Sequence, residues 1–342
     1  MKKSFDVAVV IGRFQPVHNG HLELFRHAAK IADNVLVIVG SAHQPRTIKN
    51  PFTVEDRVSM IEPCLRSLAV SRFSIVPNID TIYNDAAWAV RVQEIVNNYL
   101  GKIDGTKVAI VGHKKDDTSF YLDMFPQWSF VDVGSVEPLD ATSVRELFFA
   151  ERMNMNFIRS VVPASTLAFL ETFATSSDYK HLLDEKSFIE GYKRQYASLP
   201  YAPVFVTADA VVIQSGHVLM IKRRSSPGKG LWALPGGFLN ASTDRSVQDA
   251  AVRELREETG IKVPVPVLYG SIKDSKVFDA ISRSSRGRTI THAFKFVLPD
   301  GQLPRVKGQD DAEKARWIPI ASLRSEDCYE DHYEIISNLL GA

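Results

Sequence analysis

The first 170 residues repeat one rhythm that restricts the fold more than any other feature of the chain. Short β-branched runs bounded by Gly or polar residues alternate with longer stretches of helical period. The spacing predicts strands at Val7–Ile11, Val35–Val39, Phe73–Val76, Lys107–Val111 and Ser129–Val133, with helices near Gly20–Ala32, Thr53–Leu68, Asp85–Leu100 and Ser143–Ala150. Such alternation makes parallel strands joined by right-handed crossovers, a doubly wound α/β domain. Ligands of these sheets bind beyond the carboxyl ends of the strands, so the residues just after Ile11, Val39, Val111 and Val133, Gly112 among them, are the first place to seek chemistry.

The rhythm then changes. Residues 175–200 carry no strand signal and read as a polar helical linker between an α/β domain at 1–174 and a second domain at 201–342. Runs at Val204–Gln214 and His217–Lys222, a helix over Ser246–Thr259, and strands near Val265–Ile272 and Ile290–Leu298 make the second domain α+β with a mixed sheet. Forty-one Lys and Arg oppose 40 Asp and Glu, so no global field favours nucleic acid or an anionic membrane, and any anion site must be local. Cys64 and Cys328, far apart in sequence, read as reduced thiols of a cytoplasmic protein. The apolar run after Met1-Lys2-Lys3 is too short for export or spanning. No nucleic-acid or membrane partner is expected, and a homo-oligomer is left open.

The first predicted strand runs into Gly12-Arg13-Phe14-Gln15-Pro16-Val17-His18-Asn19-Gly20-His21. Gly12 would let a ligand approach the backbone, and Asn19 is the expected N-cap of a helix whose free N–H groups favour an anion. His18 and His21, three apart, would lean toward the same phosphate. Ser143 and Glu146 match a capping box, which places Arg145 in a first helical turn, where an arginine makes sense if a polyphosphate lies in front of it.

In these residues the chain resembles the nucleotidylyltransferase superfamily, and more closely the archaeal-type nicotinamide mononucleotide (NMN) adenylyltransferases. Asn50-Pro51-Phe52-Thr53, Asp80 to Trp88 and Thr142-Ser143-Val144-Arg145 fit that subgroup too, so the likeness covers nearly the whole first domain. The resemblance implies adenylyl transfer from ATP to NMN, giving NAD and pyrophosphate. It further implies that His18, His21, Arg13 and Arg145 hold phosphates, with Gly12, Phe14, Gly112, Thr142 and Ser143 lining the site. Asn50 and the flat face of Trp88 would hold the mononucleotide.

In the second domain, Leu234-Pro235-Gly236-Gly237 precedes a helix carrying Arg253, Glu254, Glu257, Glu258 and the stop Gly260. Three carboxylates at i, i+3 and i+4 share one face, an unfavourable arrangement unless a hard divalent cation cancels it. The segment resembles the Nudix box, with one departure: Arg245 stands where that family expects a glutamate, and Asp244 is the available substitute. Arg283, Arg286 and Arg288 form a cation cluster similar to the ADP-ribose-binding loop of Nudix domains joined to adenylyltransferases. The resemblance implies that Glu254, Glu257 and Glu258 bind Mg2+, or alternatively Mn2+, and that Gly236, Gly237 and the arginines bind ADP-ribose. Hydrolysis to AMP and ribose 5-phosphate would follow. The other reading is a catalytically weak module that senses ADP-ribose or NAD, and Arg245 is the residue in its favour.

Overall fold

The computed structural model describes residues 3–70, 72–101, 105–114, 117–134 and 140–341; Met1 and Lys2 of the basic opening lie outside them. The chain divides into two compact units, Met1–Leu183 and Asp184–Ala342. Among the described residues no helix is long and apolar enough to cross a membrane.

Unit one holds β1 (Phe5–Gly12), α1 (Asn19–Ile31), β2 (Ala32–Val39), α2 (Val54–Ser67), β3 (Phe73–Pro77), α3 (Asp85–Leu100), β4 (Val108–Gly112), β5 (Ser129–Asp132), α4 (Ala141–Phe148), α5 (Met155–Val161) and α6 (Ala164–Phe173). Helix α7 (Ser177–Arg194) follows, and Tyr179 and Leu182 at its start belong to the core of this unit. The sheet order is β3-β2-β1-β4-β5, and every pairing is parallel. From Val7 to Ile11 β1 is apolar because both its faces are covered: Ala8 and Val10 join the cluster with Phe25 and Met60, whereas Val7, Val9 and Ile11 join Val92 and Val96 of α3. The chain leaves β1 toward β2 on one side and later returns to place β4 on the other, which puts the switch point at the carboxyl end of β1.

Unit two holds β6 (Val204–Gln214), β7 (His217–Arg223), β8 (Trp232–Ala233), β9 (Gly236–Phe238), α8 (Val247–Thr259), α9 (Val265–Ser271), β10 (Ile272–Phe278), β11 (Arg288–Val297), β12 (Ala312–Pro319) and α10 (His332–Leu340). The order β10-β11-β6-β7-β12 is mixed: β11 and β6 are parallel and the other neighbours antiparallel. Ala208, Ala210 and Val212 of β6 pack with Ala250, Ala251 and Leu255 of α8, leaving the odd-numbered side chains of β6 on the opposite face. One expected strand is wrong. Val265–Ser271 is helical, with Pro264 as its N-cap and Pro266 in its first turn, and the strand begins only at Ile272. The β-branched alternation suggested a strand, but prolines in a first helical turn need no N–H partner, and Leu268 gains burial in the core.

Candidate active sites

At the end of β1 the turn is packed rather than open. Phe14 takes a φ of 53° and folds its ring over Gly12, where a Cβ would lie 3.0 Å from Phe14 Cζ. The space expected for a ligand at Gly12 is thus filled by Phe14. Helix α1 begins at Asn19, so its N-cap is His18 and not Asn19. His18 Nδ1 accepts the Gly20 N–H at 3.1 Å, and His21 Nδ1 accepts the His18 N–H at 3.2 Å, a reciprocal cap made of two imidazoles with ring centroids 3.9 Å apart. Gly20 is needed for it, because a Cβ there would sit 2.8 Å from His18 Cε1. With Nδ1 accepting in both rings, each neutral imidazole carries its proton on Nε2, the edge that can donate to a phosphate. Burial, then the neighbouring His18, pushes the His21 pKa well below its ordinary value, so that ring is neutral at pH 7.

Three cations of the same unit crowd one another. Arg145, 7% exposed, donates to Gln15 O at 2.6 Å and Thr142 Oγ1 at 3.2 Å; desolvation and then Arg13 depress its pKa to about 10. The Lys49 ammonium is lowered by desolvation, then by Arg13, with Arg145 adding to the effect. Lys49 keeps an exposed surface, so crowding by like charge is the more instructive of its two main causes. Arg13, Lys49 and Arg145 repel one another until an anion lies among them. Lys49 was not among the expected site residues, although it directly precedes Asn50 in the motif.

Two further residues fix the loops. Arg57, 1% exposed, donates to Arg13 O (2.9 Å), Gly40 O (2.6 Å), Ser41 O (3.2 Å) and Thr53 O (2.9 Å), tying the turns after β1 and β2 to α2. Asp80 holds the Ser41 N–H and hydroxyl at 3.1 and 2.5 Å. Helix α4 opens on Asp140 rather than Ser143: the Asp140 carboxylate accepts the Ser143 N–H at 2.9 Å and the Ser143 hydroxyl at 3.1 Å. Arg145 therefore lies in the second turn, not the first.

On the side expected for the mononucleotide, Asn50 Oδ1 is buried without a hydrogen-bond partner, an acceptor–ready geometry that water or a ligand donor would complete. Trp88 is half-buried, with its ring 5.8 Å from Tyr121 and 6.0 Å from Phe125. Gly112 serves packing, since a Cβ there would meet Leu122 at 2.9 Å.

The second site is built where α8 meets β9. Gly236 N–H donates to Glu258 Oε2 at 2.9 Å, and a Cβ on Gly237 would fall 2.3 Å from Glu254 Oε1, so the glycine pair makes room for two carboxylates against a strand. Burial pushes the Glu258 carboxyl up to about 8, and burial also raises that of Glu254. Arg253 organises the cluster: Nη1 donates to Glu254 and Glu257 at 2.8 and 2.9 Å, and Nε and Nη2 hold both oxygens of Asp244 at 2.8 Å. Asp244 thus supplies the acid that Arg245 does not.

The carboxylates of α8 form an open set rather than a closed cage. Among the described residues no three acidic, histidine or cysteine side chains converge closely enough to cage a metal ion, because Glu257 stays exposed and, like Glu254, is turned to Arg253. The donor chemistry still fits Mg2+, which binds through one or two carboxylates plus substrate oxygens rather than a closed protein cage. The expectation for Arg283 needs correction. It is buried in a two-pronged pair with Asp331 at 2.9 Å and is not a clamp for phosphate. Arg288 Nη1 donates to Asp279 O at 2.5 Å, while Arg286 lies over the Phe238 ring, 4.9 Å from its centroid.

Comparison with known proteins agrees with this division. The cytidylyltransferase-like model matches residues 9–160 and the NUDIX domain model residues 204–339. A nicotinamide/nicotinic acid mononucleotide adenylyltransferase of Acinetobacter baylyi is 38% identical over 179 residues, 52% of this chain and 92% of the relative. The crystal structure of a bifunctional NMN adenylyltransferase/ADP ribose pyrophosphatase from Francisella tularensis aligns with a TM-score of 0.89 and 36% identity, covering 98% of this chain and 99% of that one. The chain belongs to this bifunctional family. Its second half is also similar to an ADP-ribose pyrophosphatase of Methanocaldococcus jannaschii, 33% identical over 40% of this chain and 72% of the relative. A second Francisella structure, complexed with AMP and a Mn ion, aligns with a TM-score of 0.87 and 35% identity over 98% of this chain and 99% of that one.

Proposed function

We propose that unit one transfers the adenylyl group of ATP to NMN, giving NAD and pyrophosphate, and that unit two hydrolyses ADP-ribose to AMP and ribose 5-phosphate. The observation that supports the first reading is the reciprocal cap of His18 and His21, which leaves the Nε2 edges to donate at one helix start; the mutual crowding of Arg13, Lys49 and Arg145 adds to it. In the reaction a 5′-phosphate oxygen of NMN attacks the α-phosphorus of ATP, and the bond to the β-phosphate oxygen breaks. No enzyme nucleophile is required. The chain's part is to align the two phosphates and to neutralise charge that moves onto the leaving pyrophosphate. Asn50 and Trp88 hold the mononucleotide on this reading.

In unit two, Glu254 and Glu258, with Glu257, would hold a divalent ion, Mg2+ or Mn2+, which when bound supplies charge neutralisation and an acidified water. Arg253 orients Glu254 and Glu257, Asp244 holds Arg253 in place, and the strand amide of Gly236 fixes Glu258. The acid pairing Arg253 is present, which favours a competent hydrolase over a sensing module. The test is direct: purified protein with ATP and NMN should yield NAD, and with ADP-ribose and Mg2+ should yield AMP. Absence of AMP with NAD synthesis intact would leave the sensor reading.

Two variants probe the supports. Lysine has one nitrogen and cannot span four carbonyls. Arg57→Lys should therefore lower kcat/KM for NAD synthesis at least about tenfold, with ADP-ribose hydrolysis, in the other unit, unchanged. Gly237→Ala drives a methyl into the Glu254 carboxylate, so hydrolysis should fall by about two orders of magnitude while NAD synthesis holds. Parent-like hydrolysis in that variant would mean that Glu254 need not lie against β9.

A further inference from the structure

Helix α10 carries a buried imidazole that neither reaction has used. His332, its first residue, is 7% exposed, and its Nδ1 accepts the Leu234 N–H at 2.8 Å. Burial pushes the His332 pKa down to about 3, with the Asp331 carboxylate opposing the shift, so the ring is neutral at pH 7 and carries its proton on Nε2. Leu234 opens the turn between β8 and β9. Across Leu234, Pro235 and Gly236 the backbone has two N–H groups, because proline has none. That of Leu234 goes to His332, and that of Gly236 goes to Glu258 Oε2 at 2.9 Å. Pro235 O accepts the Ala210 N–H at 2.8 Å, which ties the middle of the turn to β6. The path of the turn is thus set from three sides, one of them a carboxylate of the second site. Leu234 is 1% exposed, so bulk water does not serve its N–H once the imidazole is gone.

His332 is itself held from several directions. Ile335, Ile336 and Leu339, on the same helix face, are buried, and Lys295 Nζ donates to Leu339 O at 2.7 Å. Asp331, the N-cap of α10, makes the two-pronged pair with Arg283. Upstream, Cys328 bridges Trp232 and the Tyr329 N–H donates to Trp232 O at 2.8 Å, so the chain entering α10 runs along β8 toward the same turn. The acceptor is therefore presented from a packed element, which fixes where the Leu234 N–H must lie.

We propose that His332 is a positioning residue of the hydrolase: by taking the Leu234 N–H, its Nδ1 sets the turn in which the Gly236 N–H meets Glu258. The proposal rests on the ADP-ribose reading of unit two and on the place of Glu258 in it. His332→Asn puts an amide Oδ1 where Nδ1 stood, whereas His332→Leu keeps the branched shape and offers no acceptor. In the full chain His332→Leu should lower kcat for ADP-ribose at least about tenfold, the result of a displaced carboxylate. KM should stay within about twofold, and His332→Asn should bring kcat back to within about threefold of the parent. Hydrogen exchange of the Gly236 amide, followed by NMR, should quicken at least about tenfold in His332→Leu and return toward the parent in His332→Asn. Lost packing alone would not produce that rescue. Should the leucine variant not fold, His332→Gln, whose acceptor stands one bond farther from the backbone, should show the same split. A parent that yields no AMP, with Gly236 exchange responding as stated, keeps the positioning role and loses the hydrolase reading. Parental kcat in both His332→Leu and His332→Gln, equal losses in His332→Asn and His332→Leu, or Gly236 exchange that is the same in every variant, overturns the proposal.

Discussion

His21→Ala should lower kcat/KM for NAD synthesis at least about a hundredfold, while ADP-ribose hydrolysis by the same preparation stays at the parental rate. Two losses combine. On the proposed reading the variant removes an Nε2 donor to the phosphates, an interaction worth about 2–4 kcal/mol where charge develops in a dry site. It also removes the acceptor of the His18 N–H, so the His18 imidazole loses the backbone geometry of the reciprocal cap. The intact hydrolase serves as a fold control in the same tube. A pH signature accompanies the variant. The folded His21 pKa lies below that of an unfolded imidazole, about 6.5. Its stabilising contribution is therefore complete above that pH and is lost as the pH falls toward the folded value. The parent should thus lose more Tm between pH 7 and 5 than His21→Ala. Parental NAD synthesis by the variant would remove the paired imidazoles from the mechanism.

How far the molecule was legible from its residues depended on whether the deciding partner was local. The five parallel strands followed from alternation because burial on both faces of β1 writes itself as an unbroken apolar run from Val7 to Ile11, whereas the strand order that puts the switch point at β1 came only with the fold. The carboxylate face of α8 followed from helical spacing in the same way. The caps were misread: Asn19 and Ser143 were the residues expected as caps, but Gly20 leaves room for the His18 ring, and Asp140 accepts the N–H of Ser143 itself, so the helix starts earlier. Arg283 was read as a free cation because its partner, Asp331, lies 48 residues along the chain, and no local pattern announces a buried pair of that separation. Arg57 was missed for the opposite reason. An arginine on a helix reads as solvated, and only the fold reveals that it bridges carbonyls of three segments. Asp244 was legible only as an alternative, because a shift of one position relative to Arg253 is settled by the loop's path rather than by composition.

Glu258→Gln should abolish ADP-ribose hydrolysis, by at least about two to three orders of magnitude, without weakening the fold. The amide oxygen of glutamine can still accept the Gly236 N–H, so β9 and α8 stay joined. What disappears is the negative charge. In the folded chain that charge is opposed by burial, which raises the carboxyl pKa to about 8, above its unfolded value. Stability from such a raised group is present below the unfolded pKa of about 4.3 and is lost as pH rises through 8. At pH 8 without added metal, the variant's Tm should therefore equal or exceed the parent's. The parent tolerates an unfavourable buried charge at a site where function needs it. A readout independent of turnover separates this from simple damage: Mn2+ titration followed by electron paramagnetic resonance should show tighter binding to the parent than to Glu258→Gln. Equal Mn2+ affinity together with lost hydrolysis would make Glu258 a proton-handling group instead of a ligand. Retained hydrolysis would leave Glu254 and Glu257, held by Arg253, as the only carboxylates of α8 that the chemistry needs.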